Sequence, residues 1–203
     1  PGRQSENHVP AETEAEIGTP DPEFRPKPER QTRIVTADTH YITPMDTPFG
    51  TLTLIATDRG LRAVRWPQEM ANRVRLPDEV TSQPDHPILR ASRLQLQEYL
   101  DCQRKSFDLP FDLRGTEFQE SAWRALASIP YGETTTYGQQ AARLGRPKAA
   151  RAIGAANGKN PISIILPCHR VVGAGGDLVG FAGGLDAKRR ILEFERANVN
   201  SNG

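Results

Sequence analysis

Thr136-Tyr137-Gly138-Gln139-Gln140-Ala141-Ala142-Arg143-Leu144-Gly145-Arg146-Pro147-Lys148-Ala149-Ala150-Arg151-Ala152-Ile153-Gly154-Ala155-Ala156 is the stretch on which the architecture of the second half of the chain turns. Thr136 and Gln139 stand three apart, the spacing of a capping box that opens a helix. Gly145 suits the left-handed residue that ends it, and Pro147 suits the first turn of a second helix. The outline is a helix-turn-helix, a pair also found in ordinary helical domains. What sets this pair apart is its second member, where Lys148 and Arg151 sit among Ala149, Ala150, Ala152, Gly154, Ala155 and Ala156. Small side chains thin the helix, so its backbone can approach a partner or enter a groove.

Charge points to what that partner is. Between Glu133 and Asp177 the charged residues are Arg143, Arg146, Lys148, Arg151, Lys159 and Arg170, with no acid among them, although the whole chain carries a net charge of only +1. A block of one sign favours a polyanion. The minor groove of DNA, roughly 6 Å wide, rewards a slim helix most.

Upstream, Thr116 and Gln119 repeat the capping box ahead of Phe118, Ala122, Trp123, Leu126 and Ile129, so another helix is expected there. The break at Asp112-Leu113-Arg114-Gly115 marks a domain boundary. Apolar residues at helical spacing predict a helix over 88–100. Three short strands, over 39–42, 50–55 and 60–66, form an antiparallel meander punctuated by Pro48-Phe49-Gly50 and Asp58-Arg59-Gly60. Residues 1–30 are rich in Pro, Glu and Thr with few apolar side chains, the composition of a disordered leader. The expected organisation is therefore α+β: a leader over 1–30, an N-terminal α/β domain over 31–112 and a mostly helical domain over 113–203.

A chain of 203 residues with 36% hydrophobic content supports one sizeable core or two modest ones. No apolar run has the length of a membrane span or the flanks of a secretory signal, so a cytoplasmic location with no membrane partner is expected. Cys102 and Cys168 lie far apart and outside any CxxC pair, which supports neither a zinc site nor a disulfide framework. Neither metal nor cofactor is implied. Cys102 reads as a helix-surface or packing residue.

Cys168 has a different setting. Asn160-Pro161 closes the second helix, Ile162-Ser163-Ile164-Ile165-Leu166 reads as a buried strand, and Pro167-Cys168-His169-Arg170-Val171-Val172 follows. A histidine and an arginine beside the cysteine favour thiolate, the form that attacks electrophiles. Neighbours on an extended backbone point to opposite faces, so His169 reaches Cys168 only through a turn or a bridging water.

The run from Pro167 to Val172, with Gly180-Phe181-Ala182-Gly183-Gly184-Leu185 and Lys188 after it, resembles the active-site signature of the O6-alkylguanine-DNA alkyltransferase family. Ile129-Pro130-Tyr131-Gly132, Thr136-Tyr137-Gly138, the segment over 147–154 and Asn160-Pro161 are similar to family motifs in family order. The likeness is strong from Phe118 to Glu195 and general over 39–112. It implies a ribonuclease-H-like N-terminal domain and a DNA-repair protein that moves an alkyl group from O6-alkylguanine, and from O4-alkylthymine, in double-stranded DNA onto Cys168.

By the same resemblance, His169 is the base acting through water, Glu195 orients its imidazole, and Tyr137 donates a proton to the leaving base with Lys188 making it a better acid. Asn160 braces the turn beside the cysteine. Arg151 fills the space of a flipped base, Arg146, Lys148 and Ala152 meet DNA, and Pro167, Val171, Phe181, Ala182 and Asn157 line the substrate pocket. Self-association on DNA is left open. Some family members carry Tyr-Ser where this chain has Phe181-Ala182, so one hydroxyl donor is missing and room is left for groups larger than methyl. An alkyl thioether has no hydrolytic exit comparable to a thioester's, so each molecule reacts once. Two rival readings are a binding-only relative, which would lack the cysteine, and a DNA-binding regulator with the cysteine as sensor.

Overall fold

The computed structural model describes residues 39–69, 73–74 and 80–200, and these fall in one compact unit, Ala37–Gly203. The leader expected over 1–30 lies outside the described residues.

The N-terminal half is a four-stranded sheet in the order β3-β2-β1-β4, made of β1 (Tyr41–Met45), β2 (Leu52–Thr57), β3 (Gly60–Arg65) and β4 (Thr81–Ser82). The first three strands form the expected antiparallel meander, and β4 adds to β1 in parallel. Helix α1 (Pro87–Leu100) opens with a proline in its first turn, where no N–H is needed, and turns Leu89, Ser92, Leu96 and Tyr99 to the interior. The segment after it returns along β3: Leu61 N donates to Pro110 O at 2.8 Å and Asp112 N to Leu61 O at 3.0 Å.

Both predicted capping boxes form. Thr116 caps α2 (Glu117–Leu126) and Thr136 caps α3 (Tyr137–Arg143), each with reciprocal bonds to the glutamine three residues on. Gly145, at φ +70°, supplies the left-handed residue after α3. Helix α4 (Ala150–Gly158) starts three residues later than Pro147 suggests. Arg146 to Ala149 instead form a turn closed by Ala149 N on Arg146 O at 2.8 Å. Trp123 Nε1 donates to Ala156 O (2.7 Å), Gln140 Nε2 to Ala122 O (2.9 Å) and Asn157 Nδ2 to Gln140 Oε1 (2.8 Å), locking α2, α3 and α4 together around Ala122, Ala141, Ile153 and Ala156.

The strand expected over 162–166 is absent: the segment is a series of tight turns. Ile164 takes a left-handed φ of 73°, Leu166 N donates to Ile162 O at 2.8 Å, and the Asn160 side chain spans the turn. A run of four apolar residues around Ser163 is compatible with any fully buried segment, and here the asparagine amide replaces a sheet neighbour. A short 3-10 turn, Cys168–Arg170, follows, then β6 (Val171–Val172), which pairs in parallel with β5 (Thr135–Thr136). Helix α5 (Gly184–Ala197) closes the chain over Lys188, Ile191 and Glu195. One hydrophobic cluster runs from Leu52, Leu54 and Leu61 in the sheet through Leu96 and Tyr99 to Leu126, Ile162, Leu166 and Ile191. The sheet and the helical half therefore share a core.

Candidate active site

Cys168 heads the 3-10 turn, and its backbone N–H is bound to Leu166 O at 2.8 Å. That turn is held from Asn160, whose Nδ2 donates to Leu166 O at 2.8 Å while its Oδ1 accepts from Ile162 N at 3.0 Å. Asn160 is thus both the residue after the helix end and the brace of the cysteine turn. Cys168 is only 7% exposed, yet it lines a cavity of about 480 Å³ with Tyr137, Arg151, Gly154, Asn157 and Gly180. Burial raises the Cys168 thiol above its usual range, with the Asn160 hydrogen bond and the Lys188 charge pulling it back. The adjoining His169 and Arg170 therefore do not make a resting thiolate, contrary to the expectation from their adjacency, because a sulfur so enclosed loses the hydration that would stabilise its charge.

His169 is fully buried behind the cysteine. Its Nε2 meets Glu195 Oε1 at 2.8 Å, and its Nδ1 has no hydrogen-bond partner among the described residues. Donation from Nε2 to a carboxylate leaves the lone pair of a neutral ring on Nδ1, so that atom is the acceptor of the pair. Burial lowers the His169 pKa, against the raising influence of Glu195. The ring is therefore a neutral base at rest rather than the imidazolium that a carboxylate alone would favour.

Glu195 is fully buried and collects five donors. Oε1 accepts from His169 Nε2 (2.8 Å), Tyr99 Oη (2.8 Å) and the second terminal nitrogen of Arg170 (2.8 Å). Oε2 accepts from Arg170 Nε (2.9 Å) and Gly132 N (3.1 Å). Burial alone would raise this carboxyl, but His169, once protonated as the pH falls, together with the hydrogen bonds of both residues and the Arg170 charge, holds it well below the usual carboxylate range. Arg170 also donates to Ile129 O at 2.6 Å and lies over the Tyr131 ring at 5.6 Å. It is 4% exposed and so leaves the basic face to which its place in the acid-free block had assigned it.

Tyr137, the first residue of α3, donates to Val179 O at 3.0 Å, and Lys188 Nζ donates to the same oxygen at 2.8 Å and to Val171 O at 2.7 Å. Burial and the nearby Cys168 raise the Tyr137 hydroxyl, so Lys188 does not leave it a stronger acid at rest. Burial lowers the Lys188 pKa. Arg146, Lys148, Arg151 and Ala152 are exposed on α4 and the turn before it, with Arg146 stacked over Phe118 at 5.3 Å.

The cavity therefore joins Cys168, Tyr137, Arg151 and Asn157, while His169, Glu195, Lys188 and Asn160 stand behind its wall. Four residues expected to line the substrate pocket are placed differently. Pro167 lines a separate cavity with Tyr131 and Phe107. Val171 is fully buried, offering only its carbonyl to Lys188. Phe181 and Ala182 line a neighbouring cavity of about 590 Å³ that meets the first at Gly158 and Gly180. Phe181 is turned that way by an edge contact with Trp66 at 5.3 Å. Sequence reasoning missed Tyr99, whose only signal was its place on the buried face of α1, and the role of Arg170, which stood inside the motif itself.

Three comparisons bear on this arrangement. Residues 40–113 match the family model described as 6-O-methylguanine DNA methyltransferase, ribonuclease-like domain, and residues 117–197 match its DNA binding domain. Proteins called methylated-DNA--protein-cysteine methyltransferase are similar in sequence: that of Mycobacterium bovis is 45% identical over 160 residues, covering 79% of this chain and 94% of its own. That of Methanosarcina acetivorans is 43% identical over 155 residues, covering 76% and 97%. The Mycobacterium tuberculosis OGT structure in complex with DNA superposes with a TM-score of 0.71 at 42% identity, covering 78% of this chain and 94% of that one.

The scaffold is of mixed α+β architecture, and its cavity leads to one buried cysteine, Cys168. The chain belongs to the 6-O-methylguanine DNA methyltransferase family, enzymes that repair DNA by moving an alkyl group from a damaged base to a cysteine of the protein. Among the described residues no helix is long and apolar enough to cross a membrane.

Proposed function

We propose that this chain reverses alkylation in double-stranded DNA in a single turnover, taking the alkyl group of O6-alkylguanine, and of O4-alkylthymine, onto Cys168. The helix-turn-helix α3–α4 docks in the minor groove and the damaged nucleotide is turned out of the stack into the cavity beside Tyr137. The observation that carries this reading is the cavity itself, which connects a buried sulfur to the exposed, basic, small-residue helix α4. That the M. tuberculosis relative has been solved in complex with DNA supports DNA as the partner. The work is cytoplasmic, with residues 31–112 as the N-terminal domain and 113–203 as the part that binds DNA and takes the alkyl group.

The chemistry follows from the atoms. His169 Nδ1 takes the thiol proton through a bridging water, and Glu195 stabilises the imidazolium that results. The thiolate attacks the sp³ carbon in line, so the C–S bond forms as the C–O6 bond breaks and the electron pair passes to the purine. Tyr137 turns its hydroxyl from Val179 O to the ring of the leaving base and supplies the proton. Proton transfer from Lys188, which shares that carbonyl, makes the departure of the phenolic proton less costly. Arg151, planar and cationic, stacks in the gap and pairs with phosphate, while Arg146, Lys148 and Ala152 meet the backbone. Asn157 packs against the flipped base.

Intact-mass measurement after incubation with an oligonucleotide carrying O6-methylguanine tests this directly. The wild type is expected to gain one methylene on the peptide of Cys168, and Cys168→Ala to gain nothing. A gain on any other peptide would falsify the assignment, and binding with no gain would leave only recognition.

A further inference from the structure

We propose that Tyr99 is a positioning residue for alkyl transfer: from helix α1, in the N-terminal half, it holds the same oxygen of Glu195 that binds His169. The inference rests on the reading of Cys168, His169 and Glu195 as the reacting relay. Tyr99 lies outside every motif of the C-terminal half, 96 positions before Glu195, yet its hydroxyl donates to Glu195 Oε1 at 2.8 Å. Its ring is fully buried and fixed between Phe107 (5.6 Å), Tyr131 (5.8 Å) and Phe194 (5.7 Å). The donor is therefore pre-aimed, and it costs little ordering on each reaction.

Oε1 is shared among three donors, while Oε2 serves two. Each hydrogen bond given to Oε1 draws electron density from the one that holds the imidazole. Tyr99 thus fixes the plane of the carboxylate and limits how strongly it favours a charged His169. The charged and titratable groups facing this pair are Tyr99 from α1, Tyr131 after α2, Cys168 and Arg170 in the 3-10 turn, and Lys188 from α5. Burial and the adjoining Glu195 raise the Tyr99 hydroxyl far above its ordinary range, so it remains a donor throughout the pH span in which His169 titrates. Arg170 comes from the same turn as His169 and moves with it. Tyr99 comes from the other half, and gives that half a part in the chemistry.

Tyr99→Phe keeps the ring and removes only the donor. Its readout is the single-turnover rate of transfer from an O6-methylguanine duplex at saturating DNA, followed from pH 5 to 9 as roughly spans the His range. The rate falls on the acid side as His169 becomes protonated and cannot take the thiol proton. Removing a donor that competes for Oε1 strengthens the imidazolium, so the acid limb should move up by roughly 0.5–1 pH unit, a three- to tenfold change in proton affinity.

Phe107→Leu, which loosens the ring packing and spares the hydroxyl, should leave the limb where it is. A Tyr99→Phe limb that coincides with the wild type overturns the inference, even if the plateau rate drops. So does a Phe107→Leu limb that shifts equally. Failure of Tyr99→Phe to fold while Phe107→Leu folds makes the hydroxyl a structural pin and overturns it as well. Absence of any transfer to Cys168 in the wild type strikes instead at the proposed function, whereas wild-type transfer with an unmoved limb strikes only at Tyr99.

Discussion

Glu195→Gln is the substitution through which the buried polar centre is most sharply tested. The carboxylate has no solvent exposure and Arg170 has 4%, and they are joined by two short hydrogen bonds. Removing the negative charge leaves a guanidinium in the interior facing Ile129 O and the Tyr131 ring, neither of which carries a counter-charge. Breaking a buried ion pair by one member costs about 3–5 kcal/mol. The new amide adds a geometric conflict, because its NH2 faces either Tyr99, His169 and Arg170 on one side or Arg170 and Gly132 on the other. At least two donors then oppose a donor. These losses overlap in one network and do not add, so the total stays at about 3–5 kcal/mol. Urea unfolding measures it as a drop in midpoint at constant slope. A second substitution, Arg170→Leu in the same background, removes the stranded cation and should recover part of the loss. A loss under about 1 kcal/mol in the single variant would refute the reasoning, because an isolated buried charge cannot be that cheap.

Acid should weaken the fold through the same pair. Burial lowers His169, and the His169 and Arg170 interactions overcome burial to depress Glu195, so the unfolded chain binds more protons than the folded one. Stability is then complete above the ordinary His value of 6.5, declines below it, and declines further below the ordinary Glu value of 4.5. Melting temperatures at successive pH values check this, and a flat profile between pH 7.5 and 5, roughly the His window, would contradict it. Asn160→Ala removes two buried hydrogen bonds around the left-handed Ile164 and should cost about 2–4 kcal/mol along with slower alkylation. Unchanged alkylation in that variant would mean the brace does not place the sulfur. Arg151→Ala, at an exposed site, should leave stability within about 0.5 kcal/mol. It should weaken duplex binding in a titration and lower its salt dependence, and equal affinity at all salt concentrations would remove Arg151 from the interface.

What could be read from the chain was what local chemistry decides. Thr116 and Thr136 fix the starts of α2 and α3 because the cap and its glutamine lie three residues apart. The Gly-punctuated meander was legible for the same reason. The run over 162–166 was misread, because apolar content reports burial and not backbone conformation, and the device that bends it is an asparagine before the run. Strands β5 and β6, two residues each, are too short for any periodicity to register. At the site, local adjacency suggested that His169 and Arg170 would act on Cys168, whereas both give their hydrogen bonds to Glu195, some 25 residues away. The resemblance supplied Glu195. Nothing local could have supplied Tyr99, whose contact spans the two halves, or turned Phe181 toward Trp66.

The short parallel pair of Thr135–Thr136 with Val171–Val172 has a mechanical consequence. It stitches the cap of α3 to the residues immediately after the cysteine turn, so the proposed grip and the cysteine are mounted on one bracket. The reach from the gripping surface to the sulfur is set when the chain folds, much as the throat depth of a clamp is set when it is cast. In the proposed complex, any mismatch between that fixed reach and a straight duplex is taken up by the nucleic acid.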